Sequence, residues 1–69
     1  MRTMMIYTPG HAFIGLGIPS TSTDRTLNIN GATFVLAEPA GPAILPLGMI
    51  SPEAEADLRR NQYSYREIS

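Results

Sequence analysis

The chain of 69 residues has no cysteine, no tryptophan and no lysine, and its one histidine is His11. Without cysteine there are no disulfides and no thiolate metal ligands, and the redox compartment cannot be inferred. A structural zinc site built on His11 alone would need three carboxylates around it, so no metal or other cofactor is expected. Without lysine, all five basic side chains are arginines, and the formal net charge is −1. A phosphate backbone calls for several basic groups on one face, so nucleic acid is not an expected partner. Arginine suits buried interfaces, because its planar fork is less strongly hydrated than an ammonium.

Long apolar runs are also missing. Met4–Tyr7 is far too short for the apolar region of a secretory signal. The longest weakly charged apolar stretch, Pro39–Ile50, is interrupted by Pro39, Pro42 and Pro46 and falls short of the ~20 residues that a membrane-spanning helix needs. The sequence therefore reads as untargeted and without a membrane span, with a cytoplasmic or virion-associated location.

Charge is confined largely to one end. Positions 1–50 carry Arg2, Asp24, Arg25 and Glu38, whereas positions 51–69 carry Glu53, Glu55, Asp57, Arg59, Arg60, Arg66 and Glu67. A chain this short buries only about 60% of the surface that its unfolded form exposes, so its own core is marginal. Disulfides and metals are excluded as supplements, and there is too little helix for a bundle. Association with copies of itself or with a protein scaffold is the remaining source of stability.

The patterning predicts a mainly β fold: a small hairpin-based sheet or barrel-like body, one short C-terminal helix and extended apolar arms, all in a single domain over 1–69. Residues 1–8 read as an N-terminal arm or edge strand. Within it, Met4 and Ile6 lie on one face and Met5 and Tyr7 on the other, so neither face is polar. Pro9-Gly10 marks a turn. His11–Ile18 follows, with Ala12, Ile14, Leu16 and Ile18 opposite His11, Phe13 and two glycines, where glycine signals a close backbone approach.

The strongest local signal is the hairpin over 25–37. Asn30-Gly31 fits a two-residue type I′ turn, which pairs Ile29 with Ala32, Leu27 with Phe34 and Arg25 with Leu36. That register gives the ribbon one greasy side and leaves Thr26, Asn28, Thr33 and Val35 on the other. Residues 39–50 read as an extended, apolar, proline-rich loop, too hydrophobic for disorder and long enough to imply a role. A helix over 52–62 opens with Ser51 as N-cap and Pro52 at its first position. Its apolar stripe is only Ala54 and Leu58, and Glu55–Arg59 is a favourable i,i+4 pair. The alternating tail from Tyr63 to Ser69 can add a terminal strand.

Few residues carry candidate chemistry. His11, Asp24 and the hydroxyls of Ser20–Ser22 would form a hydrolytic site only if they converged, and no nucleophile elbow is present. Gly15-Leu16-Gly17 lacks the third glycine and the following helix of a phosphate loop. Asp24-Arg25 reads as a pair opening the strand. The chain is therefore expected to be non-enzymatic.

The candidate partner interface comprises Met4, Ile6 and Tyr7 of the first strand, Ile44, Leu45, Leu47, Met49 and Ile50 of the loop, and Tyr63, Tyr65 and Arg66 of the tail. In general character the chain is similar to the small, cysteine-free, β-rich virion proteins of tailed phages that decorate or cement a capsid. That likeness implies a structural protein docked on a larger lattice and ordered by it, either oligomeric or lattice-bound. The alternative is a small inhibitor or regulator of one cellular enzyme, with Tyr63, Tyr65 and Arg66 as its hot spots.

Overall fold

Six elements form within residues 1–38 and 47–68, the parts of the chain that a computed structural model describes. They are β1 (Thr3–Thr8), β2 (His11–Leu16), β3 (Thr26–Ile29), β4 (Ala32–Ala37), α1 (Pro52–Arg59) and β5 (Ser64–Glu67). The strands make one antiparallel sheet in the order β3-β4-β2-β1-β5. The protein is thus mainly β, a curled half-barrel sheet with one short helix near the C-terminal end. The curl brings opposite ends of the sheet together, so that Asn30 Nδ2 donates to Tyr65 Oη across 3.4 Å.

Turn chemistry sets the register. Pro9 takes the first corner of the β1–β2 turn and Gly10 the second at φ +85°, which pairs Thr8 with His11. Asn30 and Gly31 adopt φ of +52° and +85°, the type I′ geometry that their identities favour. Ile29 is then opposite Ala32 and Leu27 opposite Phe34. The Leu36 N–H donates to the Arg25 carbonyl at 3.0 Å, which carries the ladder one step past β3.

One face of the sheet makes the core. Met4, Ile6, Phe13, Ile29, Phe34 and Leu36 pack there with Ala54 and Leu58 of α1. Gly15 lies on the same face, and a Cβ at that position would stand 3.0 Å from the Phe34 Cβ and 3.2 Å from the Ile6 Cδ1. This is the close approach that glycine in a strand signals.

Two expectations are corrected. Residues 1–8 are neither an arm nor an edge strand, because β1 pairs with β2 on one side and β5 on the other. The tail supplies the outer neighbour and ties down the chain start, and β5 becomes the edge. The hairpin is not one-sided either, since Val35 on the opposite face is fully buried as well. Val35 stands on an interior strand between Leu16 of β2 and Thr26 of β3.

The helix forms where its caps place it. Ser51 Oγ accepts the Ala54 N–H at 3.2 Å, and Pro52 occupies the first turn. It ends at Arg59, short of the expected residue 62. Asn61 turns left-handed at φ +56°, with its N–H donating to the Leu58 carbonyl and the Gln62 N–H to the Asp57 carbonyl. That double closure is a Schellman motif.

Candidate docking surface

The register defines what the sheet presents away from its core. Met5 lies opposite Ile14, Tyr7 opposite Ala12 and Leu16 opposite Val35, with Ala37 beside Ile14. The other strand residues of the far face are threonines, Asn28 and Ser64, and Arg66, opposite Met5, is its charged strand residue. Met5, Ile14 and Leu16 are half-buried and Tyr7 is exposed. A sheet with two apolar faces is normally covered on both.

The expected interface residues separate into three groups. Met4 and Ile6 are fully buried in the core under α1, so they are not a docking surface; the even positions of β1 face inward in this register. Ile50 and Tyr63 are half-buried against the same core. Tyr7, Leu47, Met49, Tyr65 and Arg66 are exposed, Leu47 at 52%, Met49 at 50% and Tyr65 at 44%. Ile44 and Leu45 lie outside the described residues. Tyr7, Tyr65 and Arg66 sit on adjacent strands, whereas Leu47 and Met49 flank Gly48 beside the start of the hairpin.

Met1 and the half-buried Met5 fall in the segment expected as a docking arm, whereas Ile68 and the half-buried Ile14 and Leu16 are apolar surface groups outside the expected interface. Met1 is 77% and Ile68 49% exposed. The signal for the strand residues was available, since β1 has no polar face and Ala12, Ile14 and Leu16 share one side.

No family model, curated protein or solved structure matches the chain. Its site therefore has to be read from its own geometry.

The polar residues are used mainly to hold elements together. The structure brings His11 to Glu38 and not to Asp24: His11 Nδ1 lies 3.3 Å from Glu38 Oε2. Glu38 is almost wholly buried, and its other oxygen accepts the Ser51 N–H at 2.8 Å, so one carboxylate joins β2, the end of β4 and the start of α1. Asp24 instead accepts the Thr21 N–H at 2.9 Å and packs against Gly48. The converging Ser/His/Asp arrangement is therefore not formed by these residues. Among the described residues, no three His, Cys, Asp or Glu side chains group so as to hold a metal ion. No described helix is long and apolar enough to cross a membrane.

One ion pair joins the start of the chain to β5, and a second joins the start of the hairpin to α1. Arg2 Nε and Nη2 donate to Glu67 at 2.7 and 3.1 Å, and the Arg2 guanidinium lies 5.4 Å from the Phe34 ring centroid. Arg25 holds Glu55 in the same two-pronged way, while Arg59 reaches Glu55 at only 3.4 Å. Hydrogen bonds from these arginines hold both Glu55 and Glu67 below the ordinary carboxylate value, against the opposing effect of burial.

Two open depressions flank the β1–β2 turn. One, of about 460 Å³, is walled by Tyr7, Thr8, Pro9, Gln62, Tyr63 and Ser64. The other, of about 490 Å³, lies between Pro9 and His11 and the helix residues Glu53, Ala56, Asp57 and Arg60.

Proposed function

We propose that this chain is a non-enzymatic assembly protein that docks on a larger protein scaffold, in the manner of a virion accessory protein that decorates or cements a phage capsid. The observation that supports this most is the share of large apolar side chains left outside the core. Met1, Tyr7, Leu47, Met49, Tyr65 and Ile68 are all exposed, against a small core whose larger members are Phe13, Phe34, Ile6, Leu36 and Val35.

The energetics favour docking. Covering about 800 Å² of apolar surface yields about 20 kcal/mol gross. Association costs on the order of 4–15 kcal/mol in lost freedom. A repeating lattice supplies such burial at high local concentration. The polar side chains do not suggest competing chemistry, because Glu38, Glu55 and Glu67 are each engaged in joining elements.

The test is stoichiometry. Expressed with the proteins of its own genomic neighbourhood, the chain should co-sediment with a particle in many copies. One-to-one capture of a single enzyme would favour the inhibitor reading instead.

A further inference from the structure

We infer that the free edge of β5 pairs with β5 of a second copy of this chain, antiparallel about a two-fold axis at Tyr65. This goes beyond the docking reading and does not depend on it, because it rests on backbone hydrogen bonds and not on apolar surface.

The register fixes which way each backbone group of β5 points. The Ile68 N–H donates to the Thr3 carbonyl at 2.9 Å, one step beyond the Met4–Glu67 pair of the β1–β5 ladder. In an antiparallel ladder, hydrogen-bonded pairs alternate with non-bonded ones. Arg66 and Ser64, opposite Met5 and Tyr7, therefore turn their backbone groups toward β1. The N–H and carbonyl groups of Tyr65 and Glu67 turn the other way, off the last strand of the sheet.

That edge is open. All four residues of β5 are exposed, whereas Asn28 alone is exposed in β3, the strand at the opposite edge. β5 also lacks the usual guards of an edge: it has no proline and no lysine, and its register with β1 runs without a bulge. An edge presented in this way is a template for a further strand.

The side chains select a copy of the same strand and one register. A two-fold axis at Arg66 or at Glu67 would set like charges directly opposite, which destabilises a ladder. An axis at Ser64 would bring Arg66 to Gln62 of the second copy, where the chain is already turning: the Gln62 N–H is taken by the Asp57 carbonyl. An axis at Tyr65 sets Ser64 opposite Arg66, Tyr65 opposite Tyr65 and Glu67 opposite Tyr63. No like charges meet, and the exposed Tyr65 gains an aromatic cross-strand partner. Such an interface is isologous, each copy giving and receiving the same contacts. A ladder this short falls below the ~1,200 Å² of a stable interface, so the pair forms at millimolar protein or where copies are held close together.

Two measurements on the full chain test the pairing. The chain has no cysteine, so engineered thiols report it directly. Ser64 and Arg66 of the second copy form a non-hydrogen-bonded pair, with Cα atoms ~4.5 Å apart and within reach of a disulfide. When Ser64→Cys and Arg66→Cys chains are mixed in equal amounts and oxidised, the mixed disulfide should exceed both homodimers together. In amide exchange, Arg66 and Ile68 should be slow at every concentration. Tyr65 should exchange fast in dilute protein and slow by about threefold or more at millimolar concentration, as most copies pair. Tyr65→Lys sets two ammonium groups opposite each other at the axis. It should keep the protection at Arg66 and Ile68 and lose the concentration dependence at position 65.

Fast exchange at Tyr65 in millimolar protein, or disulfides in random proportion, would overturn the proposal. A dominant homodimer of either cysteine variant would overturn the axis at Tyr65. Protection of Tyr65 that appears only when another protein is added would assign the edge to a foreign strand and overturn the second copy. Binding to a particle by a chain whose β5 edge stays unpaired sinks this inference alone and leaves the docking reading standing.

Discussion

Arg25 and Glu55 meet through two parallel hydrogen bonds, Nε to Oε1 at 2.6 Å and Nη2 to Oε2 at 2.9 Å, although 30 positions separate them. The contact ties the start of the hairpin to α1, and Arg25 also donates to the Thr26 carbonyl. The buried residues of the helix are Ala54 and Leu58, and among the described residues this fork is one of the polar contacts that fix its position. A double-mutant cycle on R25Q and E55Q should give a coupling of about 1 kcal/mol, at the upper end for partly exposed pairs because the geometry is bidentate. The same cycle on Glu55 and Arg59 should give half of that or less. Urea melts of the four proteins in each cycle measure both couplings, and equal couplings would contradict the assignment of Arg25 as the main partner.

Acid should weaken the fold through these carboxylates. Hydrogen bonds from Arg25 and Arg2 hold Glu55 and Glu67 below the ordinary value of 4.5. A depressed folded-state value means that the unfolded chain binds protons first. The stabilisation is therefore complete above the ordinary value and is lost as pH falls through the lower folded values. Melting temperature should be flat from neutral pH to about 5 and then decline. The decline should be shallower in E55Q, and an unchanged slope in that variant would count against the linkage.

Gly48 should be intolerant of any side chain. It is buried at φ +87°, its N–H donates to the Leu36 carbonyl, and its carbonyl accepts the Arg25 N–H. A Cβ there would sit 2.3 Å from Asp24 Oδ1. Gly48→Ala should cost about 3 kcal/mol or more, combining left-handed strain with a clash. Gly31→Ala, at φ +85° with nothing within 4 Å of the added carbon, isolates the strain alone at about 1–2 kcal/mol. Similar losses in the two variants, read from denaturant melts, would show that the clash is relieved by movement of Asp24.

Local signals were legible in the sequence to different depths. The Asn30-Gly31 turn fixed the hairpin register because both positions accept positive φ, and Ser51-Pro52 fixed the helix start because capping is a short-range hydrogen bond. The place of β1 was not legible. An apolar six-residue strand at a chain start looks like an arm unless the pairing of the tail is known, and a tail of alternating Tyr, Ser, Arg and Glu carries no pairing address. Met4 and Ile6 were mistaken for docking residues for that reason. Nor could His11 be matched to Glu38, since their 27-residue separation is closed only when β2 pairs with β4. The depression beside Tyr63 depends on the Schellman turn at Asn61, which a helix expected to run on to residue 62 hides.

Thr8 offers a test of packing that is independent of any partner. Its hydroxyl is buried without a hydrogen-bond partner among the described residues. Thr8→Val removes the unmet polar group and keeps the shape, so it should be neutral or stabilise the free protein by about 1 kcal/mol. For a domain of this size that corresponds to a rise of about 4–8 °C in Tm. A destabilisation of similar size would mean that the hydroxyl is satisfied in solution.

The proposal that neighbouring molecules complete this fold is tested most directly by thermal melts of the isolated chain across a hundredfold concentration range, with mass followed by light scattering. Docking through exposed Leu47, Met49, Tyr65 and Ile68 predicts a broad, low-temperature transition that sharpens and rises as the mass increases. The double variant Leu47→Glu/Met49→Glu should abolish that rise. A sharp transition at one temperature and one monomeric mass throughout the range would contradict it.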